Sequence, residues 1–221
     1  MARYGAQDTV PFTESMTPKP QDPYGIAKHA FERVLESISD VHGINYTIVV
    51  PHNVIGPNQV YTDPFRNVAA IMINRMLQGK QPIIYGDGMQ SRCFSDIRDV
   101  IEPTLKIIEN NNLHKEVINI GPDEGYITIL ELAKKISTLL DFKLDPVFLS
   151  ERPKEVKHAN CSANKARALI GYNPIISIDD TLVSLIEWIK ERGVADFEYS
   201  LPVEITNSFT PVTWTTDLFN K

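Results

Sequence analysis

The sequence is short of positive charge, of cysteine and of long apolar runs. Its 22 Lys and Arg are outnumbered by 28 Asp and Glu, and a formal net charge of −6 disfavours non-specific binding to nucleic acid. No run approaches the ~20 apolar residues that cross a bilayer, and no signal segment opens the chain. We therefore expect neither a membrane nor a nucleic-acid partner. Cys93 and Cys161 allow at most one disulfide in 221 residues, which favours a cytoplasmic protein.

A glycine-rich strand–turn–helix fingerprint is also missing from the sequence. The segment Gly86-Asp-Gly88 comes nearest to it but lacks the third glycine. The first residues do not resemble the start of a domain, and four prolines interrupt the segment that follows. We predict one long loop over residues 6–23, and loops of that length are usually functional or disordered.

Regular patterning begins after this loop. Apolar residues at helical spacing predict a helix over Tyr24–Val41 that ends at Gly43, and a β-branched run predicts a strand over Ile44–Val50. Further helices are predicted at about 67–77, 100–110 and 128–140, the last opened by a Thr128–Glu131 capping box, and strands at 82–85 and 116–120. Pro103 is assigned to a first helical turn, and Ser162 and Ser177 to N-caps. Alternating strands and helices predict an α/β fold with a largely parallel sheet.

Tyr24 and Lys28 lie four residues apart in the first turn of a predicted helix, so both side chains project from one face. An ammonium beside a phenol stabilises the phenolate, which makes the pair a candidate acid/base. The spacing alone also arises by chance. The preceding proline, the helix start and the long loop before it favour the functional interpretation.

Together with other motifs, this pair resembles the extended short-chain dehydrogenase/reductase family, specifically its NAD-dependent nucleotide-sugar epimerases and dehydratases such as UDP-glucose 4-epimerase. The motifs recur in family order up to about Gly193. They are Tyr4-Gly5, Pro23-Tyr-Gly-Ile-Ala-Lys28, Pro51-His-Asn-Val-Ile-Gly-Pro57, Asp63-Pro-Phe-Arg-Asn-Val68, Ile84-Tyr-Gly-Asp-Gly-Met-Gln-Ser-Arg92 and Glu151-Arg-Pro-Lys-Glu155. The match covers only the later half of a family member, so the chain is expected to be a fragment.

The resemblance implies the later part of a Rossmann-type parallel-sheet domain plus a smaller α/β substrate-binding domain. Residues 1–66 would be the C-terminal part of the NAD-binding domain, whose N-terminal half is absent, with 95–112 as a segment that could also pack on it. Residues 67–195 would bind the nucleotide sugar, and 196–221 would be a C-terminal arm or tail. Lacking the glycine motif, the isolated chain is expected to bind NAD weakly and to be inactive.

The resemblance also implies the chemistry of an enzyme, a UDP-sugar 4-epimerase acting on UDP-glucose, UDP-galactose or an N-acetyl analogue. Tyr24 would take the proton of the C4 hydroxyl while hydride passes to NAD, and the 4-keto sugar would turn over before hydride returns. Lys28 would hold the nicotinamide ribose, and Pro51 is placed beside the cofactor. The implied substrate-binding residues are Asn53, Asn67, Val68, Tyr85, Arg92, Arg152 and Glu155. Arg92 and Arg152 would bind the diphosphate, Tyr85 would flank the base, and Glu155 would accept from the ribose.

Several alternatives stay open. Met1 and Ala2 stand where the family's dehydratases carry an Asp-Glu pair, which favours the epimerase over the dehydratase. A reductase, or a non-catalytic fragment with residual nucleotide-sugar affinity, remains the alternative. Asn53 and Asn67 also fit turn or cap residues, and His52 a packed side chain. No histidine or cysteine spacing predicts a metal site. Family resemblance implies a homodimer of the full-length protein, with the helix over 24–41 in the interface.

Overall fold

The computed structural model describes residues 2–152, 157–199, 206–208 and 210–221. They form two compact units, each assembled from three separate stretches of chain. Unit 1 comprises Met1–Val54, Ser91–Tyr126 and Val156–Ile176, and unit 2 comprises Ile55–Gln90, Ile127–Glu155 and Ser177–Lys221. The linear functional division at 66 and 195, with its assignment of NAD and nucleotide sugar to separate parts, stays a prediction.

Helices and strands alternate along the described residues. In chain order they are α1 (Pro23–His42), β1 (Thr47–Pro51), β2 (Val54–Ile55), α2 (Val68–Leu77), β3 (Ile83–Tyr85), β4 (Ser91–Arg92), β5 (Ser95–Asp96), α3 (Ile97–Glu109), β6 (Glu116–Ile120), β7 (Ile127–Thr128), α4 (Ile129–Leu139), β8 (Val147–Leu149), β9 (His158–Ala159), α5 (Asn164–Ile170), α6 (Ile178–Arg192) and α7 (Val212–Thr215). None of the helices within these ranges combines the length and apolarity that a bilayer crossing requires.

Unit 1 is built on the parallel pair β1 and β6, in which Thr47 lies opposite Glu116 and Pro51 opposite Ile120. Helices α3 and α5 pack on this pair. Their apolar faces bury the strand residues in one cluster, formed by Val100, Ile107, Leu113, Ile118, Ile120, Ala163, Ala166 and Tyr172. Parallel strands flanked by helices confirm the predicted α/β fold class.

Unit 2 combines the short parallel pair β3 and β8 with helices α2, α4 and α6, which pack against one another. Helix α2 is buried on nearly all sides, because eight of its ten residues are apolar and the buried Asn74 and Arg75 donate to the carbonyl oxygens of Ala195 and Leu218. The two other helices are amphipathic and turn Leu132, Ile136 and Leu185 inward, where each side chain is fully buried. The predicted capping box of Thr128 and Glu131 opens α4.

Most predicted elements are present, and their ends show where local signals were misread. Helix α3 begins at Ile97 rather than Val100, because the Asp96 carboxylate accepts a hydrogen bond from the Arg98 N–H and caps the helix there. Pro103 therefore lies inside α3, and its assignment to the first turn was wrong. Ser177 caps α6 as predicted. The N-cap of α5 is Ala163 rather than Ser162, whose hydroxyl accepts from the N–H of Asn164.

The predicted loop over 6–23 is irregular but tightly bound to unit 1 through Asn119 of β6. This fully buried amide accepts a hydrogen bond of 2.6 Å from the Tyr4 hydroxyl. Its Nδ2 donates to the carbonyl oxygens of Phe12 and Ser162 at 3.4 and 3.3 Å. Backbone bridges at Gly5–Lys19 and Phe12–Cys161 pair part of this segment, and the buried amide adds both a donor and an acceptor to them.

Replacing Asn119 by leucine should therefore destabilise unit 1 far more than a typical surface change. Asn119→Leu removes the partner of the buried Tyr4 hydroxyl and one donor each to the carbonyl oxygens of Phe12 and Ser162, of which the Phe12 oxygen still accepts from the N–H of Ser162. Each buried group left unsatisfied costs about 1–3 kcal/mol, so we expect the free energy of unfolding, measured by urea denaturation, to fall by about 2–4 kcal/mol. The exposed Asn112→Leu serves as the control and should change it by less than about 0.5 kcal/mol. Equal effects of the two substitutions would contradict the role given to Asn119.

Candidate active site

The site residues predicted from the sequence are distributed over both compact units, and each group is described within its own unit. Unit 1 holds Tyr24, Lys28, Pro51, Asn53 and Arg92, and unit 2 holds Asn67, Val68, Tyr85 and Arg152. Glu155, the remaining predicted residue, lies outside the described residues, so its role stays a prediction.

Tyr24 and Lys28 lie together on one face of α1, in its first two turns. The helix begins at Pro23 because the Asp22 carboxylate accepts from the N–H of Gly25 at 2.7 Å. The ammonium nitrogen of Lys28 is 5.5 Å from the centre of the Tyr24 ring, and 62% of Tyr24 is exposed. A phenol that is open to a ligand and lies beside a fixed positive charge has the arrangement expected of an acid/base pair.

Residues 2–5 cross this end of α1 closely and fix its position. A Cβ on Gly25 would lie 2.6 Å from the carbonyl oxygen of Ala2, so this position admits only glycine without a shift of the backbone. Arg3 makes a buried, bidentate ion pair with Glu32 on α1, at 2.6 and 2.7 Å. The glycine in the Tyr-x-x-x-Lys motif therefore has a packing role that the spacing did not reveal.

The end of β1 brings Asn53 close to the segment that carries Arg92. Asn53 adopts a positive φ of 32°, which asparagine tolerates better than most residues. Its Nδ2 donates to the carbonyl oxygen of Cys93 at 2.8 Å, and its own carbonyl oxygen accepts from the N–H of Ser95. The guanidinium of Arg92 donates to the carbonyl oxygens of Ser91 and Lys157 at 2.8 and 3.2 Å. Asn53 thus serves as a turn residue here, and its second amide hydrogen is the one that a ligand would use.

His52, between Pro51 and Asn53, is a packed side chain. It is fully buried, and burial lowers its pKa to about 3, so the imidazole is neutral at physiological pH. The backbone of Gly121, with φ +152°, passes so close that an added Cβ would lie 2.6 Å from the ring. An enclosed imidazole with this pKa is unsuited to general-base chemistry.

In unit 2, Asn67 and Val68 form the start of α2. Asn67 is the N-cap, and its side-chain oxygen accepts from the N–H of Ala69 at 3.3 Å. Asn67 is therefore a helix cap, which was the alternative to a ligand-binding role in the sequence analysis. Binding of a phosphate at this helix start stays a prediction.

Tyr85 and Arg152 come together at the carboxyl ends of the parallel strands β3 and β8. Tyr85 ends β3 opposite Leu149, and Arg152 follows three residues after it. The Arg152 guanidinium carbon lies 4.2 Å from the centre of the Tyr85 ring. Side chains that follow adjacent parallel strands meet at one edge of a sheet, which is where α/β proteins commonly bind ligands.

Two further residues lie at this edge and were not predicted from the sequence, Thr213 and Trp214 of α7. The Tyr85 hydroxyl lies 2.8 Å from the Thr213 hydroxyl, and Trp214 contacts the same guanidinium from 6.0 Å. Their only signal was the aromatic and Thr-rich composition of residues 196–221, which has no period to place it.

Three other features of the described residues were considered as possible sites: the two cysteines, clusters of metal-ligating side chains, and a cavity. Cys93 and Cys161 are buried free thiols, and burial raises both pKa values to about 12, so neither is a thiolate nucleophile. The described residues contain no cluster of three or more His, Cys, Asp or Glu side chains suited to a metal ion. A cavity of about 240 Å³ in unit 1 is lined by residues from 45–49 and 104–113, none of which is a predicted site residue.

Comparison with known proteins relates this chain to a family of epimerases and dehydratases. Residues 2–121 match the model of the NAD dependent epimerase/dehydratase family. The chain is 31% identical to the UDP-glucose 4-epimerase of Thermotoga maritima, which was solved with UDP-glucose. The match covers 86% of this chain and 61% of the Thermotoga protein, with a TM-score of 0.79. It is 29% identical to the UDP-glucuronic acid 4-epimerase of Bacillus cereus, solved with UDP-glucuronic acid and NAD, with coverage of 87% and 60% and a TM-score of 0.80.

A third solved structure is the UDP-N-acetylglucosamine 4-epimerase of Methanobrevibacter ruminantium M1, in complex with UDP-N-acetylmuramic acid. This protein is 29% identical, with a TM-score of 0.80 and coverage of 87% of this chain and 61% of that one. The chain thus spans about three-fifths of the length of these relatives.

The environment of His52 predicts a pH dependence of stability. Because its pKa is about 3 when folded and ~6.5 when unfolded, only the unfolded state takes up this proton between those values. The contribution of neutral His52 to the unfolding free energy is fully present above pH 6.5. It is lost as the pH falls toward 3, at about 1.4 kcal/mol per pH unit.

We expect His52→Gln to remove this contribution, so that its unfolding free energy falls less steeply than that of the original chain between pH 7 and pH 4.5 in urea titrations. Carboxylates titrate equally in both proteins and cancel in the difference. The exposed His114→Gln should keep the original slope. Parallel slopes for His52→Gln and the original chain would show that His52 is not held neutral.

Proposed function

The chain belongs to the NAD dependent epimerase/dehydratase family, and we propose that it is the catalytic-base and substrate-binding part of a UDP-sugar 4-epimerase. The observation that carries the proposal is the exposed Tyr24 with Lys28 beside it at the start of α1. The solved relatives that act on UDP-glucose, UDP-glucuronic acid and UDP-N-acetylglucosamine support this reaction type. All three are 4-epimerases, so the shared reaction is the inversion of the sugar C4.

The residues at the start of α1 and the end of β1 fit the nicotinamide ribose end of NAD. Tyr24, Lys28 and Pro51 all have exposed side chains, and Lys28 offers three donors for the hydroxyls of the nicotinamide ribose. The described residues include no glycine-rich strand–turn–helix, so the pyrophosphate needs residues other than these. When bound, NAD supplies the acceptor and donor of the hydride that leaves and returns to C4.

Tyr24 would move the proton of the C4 hydroxyl. A phenol with its ordinary pKa near 10 is a weak base at neutral pH, so it needs positive charge nearby. The Lys28 ammonium, 5.5 Å from the centre of the Tyr24 ring, is a positive charge of this kind. In the reverse step the same phenol returns the proton to the alkoxide, so one side chain serves both directions of the reaction.

The nucleotide would be held by polar groups that leave the hexose free to turn over. In unit 1, Asn53 and Arg92 would donate to the sugar and the diphosphate. In unit 2, Arg152 would bind a phosphate and Tyr85 would contact the base, with Asn67, Val68 and Glu155 as further contacts. An epimerase must present both faces of the sugar to one cofactor, so most of its binding energy belongs on the nucleotide.

We further propose that the enzyme is cytoplasmic and dimeric. Helix α1 exposes an apolar row that includes Ile26, Phe31, Val34 and Val41, each between 49% and 72% exposed. An apolar row of this size on a helix surface is the usual mark of an interface. The same helix carries Tyr24, so dimerisation through it would stabilise the start of the helix.

Tyr24→Phe tests the reaction, assayed in the longer polypeptide that supplies the dinucleotide fingerprint. Losing only the hydroxyl should lower kcat by a factor of about 10²–10⁴, because proton transfer at C4 is lost while the nucleotide contacts remain. The assay follows C4 inversion of UDP-glucose, UDP-glucuronic acid and UDP-N-acetylglucosamine, and calorimetry follows UDP affinity. Tyr46→Phe, at a half-buried tyrosine outside the site, is the control and should keep full activity. Full activity of Tyr24→Phe would refute the proposal.

Phe31→Glu tests the dimer. A carboxylate in the centre of the apolar row on α1 should oppose association, since burying an unpaired charge is costly. Sedimentation velocity should show the original chain self-associating at micromolar concentration and Phe31→Glu shifting it toward monomer. Ile175→Glu, at another exposed apolar side chain of unit 1, should leave association unchanged. A monomeric original chain would contradict the proposed interface.

A further inference from the structure

The C-terminal arm, whose described residues are 196–199, 206–208 and 210–221, is bound to unit 2 at both ends. Phe197 and Phe219, near the two ends of the arm, are buried in one cluster with Ile71 of α2 and Ile83 of β3, and their ring centres lie 5.2 Å apart. Arg75 at the end of α2 donates to the carbonyl oxygen of Leu218 at 3.1 Å, and Lys80 donates to that of Asn220 at 2.6 Å. The arm is therefore held in place by buried apolar and charge-assisted contacts.

The middle of the arm places α7 against Tyr85. Thr213 is fully buried, its hydroxyl lies 2.8 Å from the Tyr85 hydroxyl, and its N–H donates to that oxygen at 3.2 Å. The hydroxyl of Tyr199 donates to the carbonyl oxygen of Thr213 at 3.0 Å. The position of the Tyr85 ring is thus fixed by the arm as well as by β3.

Trp214 completes an aromatic enclosure around Arg152. The guanidinium carbon lies 4.2 Å from the Tyr85 ring centre and 6.0 Å from the Trp214 ring centre, within the range of cation–π attraction. The Trp214 ring is in turn held edge-on by Phe65 at 5.7 Å. The Nε of Arg152 is buried, and it has no hydrogen-bond partner among the residues that the structure describes.

A guanidinium between aromatic faces keeps its N–H groups in the plane of the ion, where they are directed away from the rings. Its attraction to the rings restricts a long side chain that would otherwise sample many rotamers. A buried N–H without a partner is costly, and an anionic oxygen in this plane would satisfy it. The enclosure therefore leaves Arg152 oriented for a bidentate anion.

On the premise of the proposed function, we propose that Trp214 and Thr213 are positioning residues of the nucleotide site: they hold Arg152 and Tyr85 so that the guanidinium meets the diphosphate of a nucleoside-diphosphate ligand. The arm is then part of the substrate site. Trp214 acts through Arg152, and therefore on the diphosphate and not on the nucleoside. Thr213 acts through Tyr85.

This division of roles can be measured by comparing UDP with uridine as ligands of the 221-residue chain in calorimetry. Trp214→Leu should weaken UDP binding about 3- to 30-fold and change uridine affinity by less than about 2-fold. Trp214→Phe keeps an aromatic face and should restore UDP affinity to within about 3-fold of the original. Trp188→Leu is the matched control, since Trp188 also contacts a tyrosine and an arginine, Tyr61 and Arg192, and should leave both affinities unchanged.

A double-mutant cycle tests whether Trp214 acts through Arg152. Arg152→Gln should weaken UDP binding, and adding Trp214→Leu to it should cause less than about a 2-fold further loss, because the partner is already gone. Thr213→Val keeps the shape and removes the hydroxyl; it should weaken UDP about 3- to 10-fold, and it decides the case if Trp214→Leu does not fold.

Each outcome decides between the inference and its premise. If Trp214→Leu binds UDP as tightly as the original chain, the positioning role is wrong and the proposed function still stands. If Trp214→Leu does not fold, the same conclusion follows from unchanged UDP binding in Thr213→Val. Equal losses for UDP and uridine in Trp214→Leu, or full additivity with Arg152→Gln, overturn the positioning role likewise. Failure of the original chain to bind UDP overturns the proposed function and this inference together.

Discussion

The buried amide of Asn119 is the contact on which the order of unit 1 depends. Residues 2–20 have almost no regular structure, yet Tyr4 and Phe12 are among the most buried side chains of the chain. Burying an irregular segment is possible only if its polar groups find partners, and Asn119 of β6 supplies side-chain partners beside the backbone bridges Gly5–Lys19 and Phe12–Cys161. Burial raises the pKa of Tyr4 to about 12, so this phenol stays protonated and keeps donating to Asn119.

The candidate catalytic pair depends on this segment in turn. Because residues 2–5 are fixed by Tyr4, the Ala2 carbonyl lies where Gly25 must be a glycine, and Arg3 reaches Glu32. The first turns of α1 are therefore held by two contacts, the Ala2 main chain against Gly25 and the buried ion pair of Arg3 with Glu32. Tyr24 is left exposed on the outer side, so one surface of the helix is rigid and the other is open to a ligand.

Much of the fold could be predicted from the sequence because its signals are local. Periodicity placed α1, and the capping box placed the start of α4. Pro103 was misassigned because the cap of α3 is Asp96, which also pairs with Arg98, so the predicted start at Val100 lies three residues too late. The site residues Tyr85 and Arg152 followed from family resemblance. Thr213 and Trp214 did not, because their partner Tyr85 lies more than 120 residues away and no periodic pattern links them.

The interleaving of the two units has a consequence for synthesis. Unit 1 needs its third stretch, up to Ile176, and unit 2 needs the residues from Ser177 onward. During translation, β1 leaves the ribosome more than 60 residues before its partner β6, and Tyr85 more than 120 before Thr213. Neither unit can complete its core until most of the sequence has left the ribosome. Until then the apolar strands that have already emerged stay exposed to solvent. Late, non-local closure of this kind slows folding and favours aggregation.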